Sequence, residues 1–128
     1  MGLELLKEKA KENFKTAQWA ERKMYYDVAV SRYYYCAFER IIYISKKEGF
    51  YTRPIKGENS HIKTIDEFMK NINVNLSSED KVTLLKMKKL RKIRSDADYD
   101  EKKLGTNEFM LVFKYHFNEI IDIIDKLL

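Results

Sequence analysis

Apolar residues recur at steps of three and four along almost the whole chain, and no segment shows the strict alternation of a half-buried strand. The first series, Leu3, Leu6, Ala10, Ala17, Ala20 and Met24, is interrupted by one polar member, Asn13, and predicts a helix over about residues 3–24. Asp27 is a residue type that caps helices. It precedes a second predicted helix, about 27–47, in which Val30, Tyr34, Ala37, Ile41 and Ile44 form one stripe and Tyr35, Phe38 and Ile42 a neighbouring one. So wide an apolar arc calls for a central position. Residues 48–60 hold Gly49, Gly57 and the only proline, Pro54, without periodicity, and read as a loop. A shorter third helix follows over about 60–72, burying Ile62, Ile65, Phe68 and Met69, and residues 73–76 connect it onward. Ser77 and Asp80 have capping-box spacing and open a fourth helix running to about Arg94. Gly105 and Thr106 announce the last, where Met110, Phe113, Phe117, Ile120, Ile124 and Leu127 form the seam of an antiparallel bundle or a coiled coil.

The prediction is an all-α antiparallel bundle of four long helices and one short one, a single domain over residues 1–128. Four glycines and one proline in 128 residues leave few places to break a helix, and a 45% hydrophobic content is enough for one core. The formal charge of +5 favours acidic partners without identifying a nucleic-acid protein. A single cysteine, Cys36, excludes an internal disulfide framework and a Cys-based zinc site, which fits a reducing compartment, the cytoplasm. Cys36 reads as an inert buried thiol. No apolar run approaches the roughly 20 residues of a membrane span. The opening Met1-Gly2-Leu3-Glu4 leads into charge rather than a signal-peptide core.

The fourth helix carries Lys81, Lys86, Lys88, Lys89, Arg91, Lys92 and Arg94 with no acid among them from Lys81 onward, after which Asp96, Asp98, Asp100 and Glu101 reverse the sign. Such a strip is either a solvated face suited to a helix C-terminus or a phosphate-contacting one, giving salt-sensitive, sequence-blind affinity. Arg94 stands apart from its neighbours. At about 100° per residue it lies roughly 40° from Leu90 and 20° from Met87, on the apolar arc rather than the outer Lys88/Lys92 face. Asp98 pairs with it structurally if the helix continues; otherwise a groove arginine binds phosphate bidentately.

Two segments resemble a known family. Ser31-Arg32-Tyr33-Tyr34-Tyr35-Cys36-Ala37-Phe38 is similar to the Ser-Arg-x-Tyr-Tyr-Ala-x-Phe pattern of small HEPN-domain proteins, and Arg94-Ser95-Asp96-Ala97-Asp98-Tyr99 resembles the Arg-x-x-Ala-Asp-Tyr signature of a prokaryotic subgroup. The order of elements agrees over nearly the whole chain. The resemblance implies an all-α bundle that dimerises and works in toxin–antitoxin, phage-defence or CRISPR-associated systems. Active members are metal-independent endoribonucleases whose site combines an arginine, an adjacent polar residue and a histidine after four to six intervening residues, completed by the second copy. Here the polar neighbour is Ser95, but the histidine positions from Arg94 hold Tyr99, Asp100 and Glu101, and those from Arg91 hold Asp96, Ala97 and Asp98. Metal-free RNA cleavage needs proton transfers that a histidine near neutral pKa performs well and that Tyr99, ordinarily near pKa 10, performs poorly.

The expected site is therefore a dimer groove lined by Arg94, Ser95, Asp98 and Tyr99, with Arg32, Lys88, Arg91 and Lys92 as further nucleic-acid contacts, binding RNA or a nucleotide and needing no cofactor. One alternative is an endoribonuclease in which Tyr99 or a distant histidine, His61 ahead of His116, replaces the missing one. Another is a structural module whose basic strip docks an acidic partner protein. The resemblance further implies a cognate antitoxin or a minimal nucleotidyltransferase as partner, with Tyr99 as the tyrosine open to adenylylation; packing is the competing role for that side chain. His61 otherwise reads as a surface or capping residue at the start of the third helix, and His116 as a packed or half-exposed one. Glu58-x-x-His61 has the spacing of a di-iron bundle ligand pair, yet the second pair is missing and no metal site is expected. Tyr33, Tyr34 and Tyr35 leave the second helix in three directions, so at least one must reach a boundary.

Overall fold

The computed structural model describes residues 2–55, 59–72, 76–99 and 103–128. Glu58 of the Glu-x-x-His pattern, Asp100, Glu101 and part of the 73–76 connection lie outside the described residues. The helices are α1 (Gly2–Arg22), α2 (Tyr26–Lys47), α3 (Ser60–Asn71), α4 (Ser78–Leu85), α5 (Met87–Tyr99) and α6 (Tyr115–Leu127), the last entered through a π-helical stretch, Glu108–Lys114. No strand occurs among the described residues, and the molecule is an all-α bundle. Among the described residues no helix is long and apolar enough to cross a membrane.

α1 and α2 form an antiparallel hairpin. The buried face of α1 is Ala10, Ala17 and Ala20, and α2 presents Ala29 and Ala37 to the core, so small side chains let backbones approach closely. Met24 was the last member of the α1 series but is 64% exposed, because it ends the helix instead of extending it. Its φ of 61° places it in the left-handed region, with Tyr25 N–H donating to Ala20 O and Met24 N–H to Glu21 O, the paired bonds of a Schellman turn. The same turn closes α2, there with a glycine: Gly49 has φ +81° and Phe50 N–H donates to Ser45 O. Asp27 does not cap α2, which starts one residue earlier; its carboxylate accepts from Leu104 N–H at 3.1 Å and ties the segment before the last helix to the hairpin.

α2 is central, packing on α1, α3, α5, α6 and the π-helical stretch. Its predicted stripe, Val30, Tyr34, Ala37, Ile41 and Ile44, is fully buried. Asn59 caps α3, accepting from Ile62 N–H at 3.1 Å, and Ser77 caps α4, accepting from Asp80 N–H at 3.0 Å. The predicted fourth helix is two: Lys86 donates to Thr83 O in a tight i→i−3 turn, and α5 then continues beyond Arg94 to Tyr99. That turn sets Leu84 and Met87, three residues apart, side by side in the core.

The last helix also departs from its predicted seam at one end. Met110 is 44% exposed, and Phe109 is buried in its place. A π-helical turn is wider than an α-turn, which lines up Phe109, Phe113 and Phe117 at constant steps of four with successive ring centroids 6.1 and 6.3 Å apart. Each such fully buried ring contributes on the order of 2–3 kcal/mol of transfer free energy, which favours the wide turn over exposing Phe109.

Candidate functional site

α5 brings Arg94 inward, as the helical arc required. Its side chain is 11% exposed, bonded through one terminal nitrogen to Asp98 at 3.1 Å, one helical turn on. The guanidinium also lies 5.4 Å from the ring centres of both Tyr34 and Tyr35, within cation–π range. Its Nε is buried without a hydrogen-bond partner, and so is Nε of Arg91, one turn earlier. Among the described residues Asp98 is the carboxylate bonded to Arg94, and the charges of both arginines act on Tyr34 and His61.

His61, at the start of α3, is no surface residue. It is half-buried, its ring stacks on Phe38 at 4.4 Å and 12°, and its Nδ1 shares a 2.8 Å hydrogen bond with the Tyr34 hydroxyl. Burial, then the positive charges of Arg94 and Arg91, pull its pKa down to about 4. It is therefore neutral at pH 7. Burial also raises the Tyr34 hydroxyl well above its ordinary value, opposed by the same two arginines. His61 and Arg94 consequently share one aromatic wall, Tyr34 and Tyr35, although more than thirty residues separate them in the chain.

The remaining predicted residues divide. Ser95 is half-buried next to Arg94, and Tyr99 is 82% exposed at the end of α5. Arg32 is exposed on α2 and donates to Asn13 Oδ1 at 3.2 Å; Asn13 in turn donates to Glu39 at 2.6 Å. With Tyr35, these three line a cleft of about 370 Å³ between α1 and α2, which joins Arg32 to the Arg94 cluster through the Tyr35 side chain. Lys88 pairs with Asp66 at 2.5 Å and Lys92 with Asp96 at 3.1 Å, so the outer basic strip is partly neutralised by exposed ion pairs. Such pairs are worth about 0–1 kcal/mol each and yield readily to a competing anion. A further cleft, about 260 Å³, lies between Asp27, Leu104, Asp96 and Ala97, with neither histidine nor arginine lining it.

Cys36 is fully buried, its thiol pushed up to about 11 chiefly by burial. His116 is packed, 3.7 Å from Glu119, and away from Arg94's ring partners. Among the described residues no group of three His, Cys, Asp or Glu is arranged to hold a metal ion. The positions that sequence reasoning did not assign to the site are Asn13 and Glu39; the signal was Asn13 itself, an amide standing in the core register of α1. No family model matches the chain, and neither a curated protein nor a solved structure is similar to it at a significant level.

Proposed function

We propose that this domain is a HEPN-like, cytoplasmic RNA- or nucleotide-binding module of a toxin–antitoxin or phage-defence system, acting as a homodimer. The observation that carries the reading is the cation excess at Arg94 and Arg91: two guanidiniums, each with an unpartnered Nε, and one carboxylate, Asp98, bonded to Arg94 among the described residues. An anion such as phosphate adds acceptors for the outer N–H groups of these guanidiniums and balances their charge, and bidentate capture by arginine is the strong form of that contact. Arg32, Lys88 and Lys92 surround it as exposed or half-exposed cations. Tyr99, highly exposed, is accessible to a nucleotidyltransferase or an antitoxin docking on the same end of α5.

Titrating a single-stranded oligoribonucleotide at two salt concentrations tests this. Affinity falls steeply with salt if phosphates are neutralised, and Arg94→Met weakens binding at least tenfold. Negligible binding at low salt returns the basic strip to the role of docking an acidic protein.

One observation favours a second reading, a metal-independent endoribonuclease: a neutral histidine, His61, beside the arginine where the sequence motif lacks one. In that reading His61 takes the 2′-hydroxyl proton as the 2′-oxygen attacks phosphorus, Arg94 stabilises the charge developing on the phosphate, and the departing 5′-oxygen takes its proton from water, leaving a 2′,3′-cyclic phosphate. Labelled RNA incubated with chelator is cut by the native protein and left intact by His61→Gln; RNA that stays intact at high protein concentration removes this reading.

A further inference from the structure

Asn13 breaks the apolar register of α1 between Ala10 and Ala17, where an unbonded amide would cost stability. Its two hydrogen bonds resolve that cost and have a second effect. Donating to Glu39 and accepting from Arg32, it fixes a carboxylate and a guanidinium of the same α2 face, seven residues apart, at one cleft. Asn13 occupies one of the roughly four lone-pair sites of Glu39 and one of the five N–H donors of Arg32. The third α2 residue on that face is Tyr35, which also lines the cleft and whose ring centre lies 5.4 Å from the Arg94 guanidinium. The cleft volume, about 370 Å³, is at the small end of ligand sites.

We infer that this cleft is a base subsite for guanine, next to the phosphate contact at Arg94. The inference rests on the RNA-binding reading above and names what that RNA must contain. Guanine alone among the four bases offers two adjacent N–H donors, N1 and N2, to a carboxylate together with two acceptors, O6 and N7, to a guanidinium. Adenine offers the carboxylate only its N6 amine and cytosine only its N4 amine. The Tyr35 ring gives a stacking surface that any base could use, so the edge contacts with Glu39 and Arg32 set the choice. Burial holds Glu39 above its ordinary pKa, opposed by the Asn13 bond and by Lys9 and Arg32, as befits a carboxylate withdrawn from solvent into a binding cleft.

The test uses uridine hexamers carrying one guanosine, inosine or adenosine, bound to the full chain and followed by fluorescence anisotropy. Guanosine binds about tenfold more tightly than adenosine, the discrimination of one good bidentate base contact. Inosine, which lacks the N2 amine, falls between. Glu39→Gln reduces the guanosine-to-adenosine ratio to about one; Arg32→Gln lowers the ratio too, and a circular-dichroism melt of each variant shows that it is folded. Equal affinity for guanosine and adenosine, or a preference that survives Glu39→Gln, overturns the subsite while the RNA-binding reading stands. No binding of any hexamer overturns both.

Discussion

Tyr33 and Tyr34 are consecutive residues of α2, both buried, and each anchors a different polar cluster. Around Tyr33 the bonds close. Its hydroxyl donates to Glu21 at 2.6 Å, and Lys114, whose ammonium lies 4.4 Å from the Tyr33 ring centre, donates to both Glu21 and the hydroxyl. Burial acts to raise the Glu21 pKa, but the bonds from Lys114 and Tyr33 outweigh it and the net shift is downward. Around Tyr34 the bonds stay open: His61 is neutral, Asp98 answers only part of Arg94, and Arg91 and Arg94 each keep an unpartnered Nε. A cation bonded directly to its carboxylate and to the hydroxyl beside it is a brace. Two guanidiniums that each keep an unpartnered nitrogen, with one carboxylate bonded to them among the described residues, form a receptor for something negative.

The contrast breaks most visibly under truncation of its charges. Lys114→Met leaves Glu21 with a quarter of its side chain exposed, without its bonded cation and with only the more distant charge of Arg22, and is expected to destabilise the fold by about 2 kcal/mol, under the full cost of splitting a buried pair. Arg94→Met keeps the aliphatic packing and lets Asp98, one-third exposed, rehydrate; the loss of two cation–π contacts costs about 1–2 kcal/mol, while RNA binding falls at least tenfold. Chemical denaturation of the two variants compares them directly. Equal destabilisation, with RNA affinity untouched in both, means that Arg94 is a brace as well.

Acid separates the same two clusters by window. The folded pKa of His61, about 4, lies below its ordinary value near 6.5, so the unfolded chain takes the proton first. The stability it contributes is full above pH 6.5 and is lost as pH falls toward 4. For a half-buried ring the loss amounts to about 1–2 kcal/mol after solvent screening. Glu21, also depressed, holds its contribution until pH drops below 4.5. The native protein should therefore lose more stability between pH 7 and pH 4.5 than His61→Phe does. Parallel pH curves for the two proteins would place His61 in solvent.

The course of the chain was legible where burial alone decides. The α2 stripe, the Ser77 cap and the inward turn of Arg94 all follow from spacing, because a core residue is specified by its own register. Met24 and Met110 misled for one reason: apolar residues can continue a period after the backbone has left it, once into a left-handed turn and once into a π-helical one, and neither geometry is written in hydrophobicity. The Arg94–Asp98 pair was readable from its four-residue spacing. His61 beside Arg94 was open as a possibility and no more, because the contact depends on how α3 lies across α2, and Asn13 showed only that a polar group stood in a core register. Long-range polar partners are set by packing angles between helices, which a one-dimensional pattern does not carry.

The smallest effect tests the rim of the open cluster. The side chains of Lys92 and Asp96 are 75% and 57% exposed and 3.1 Å apart, one turn from each other on α5, so Lys92→Gln changes stability by less than about 0.5 kcal/mol. If Lys92 meets a phosphate of single-stranded RNA, the same change lowers the slope of log affinity against log salt by about 0.7, the release of one condensed counterion. Asp96→Asn works in the opposite sense, freeing Lys92 and strengthening binding at low salt without altering stability. Lys114→Met, which alters the closed cluster alone, leaves the slope unchanged however much it destabilises the fold. A slope that responds to Lys114 and ignores Lys92 reverses the assignment of brace and receptor, because counterions are released only where the nucleic acid touches.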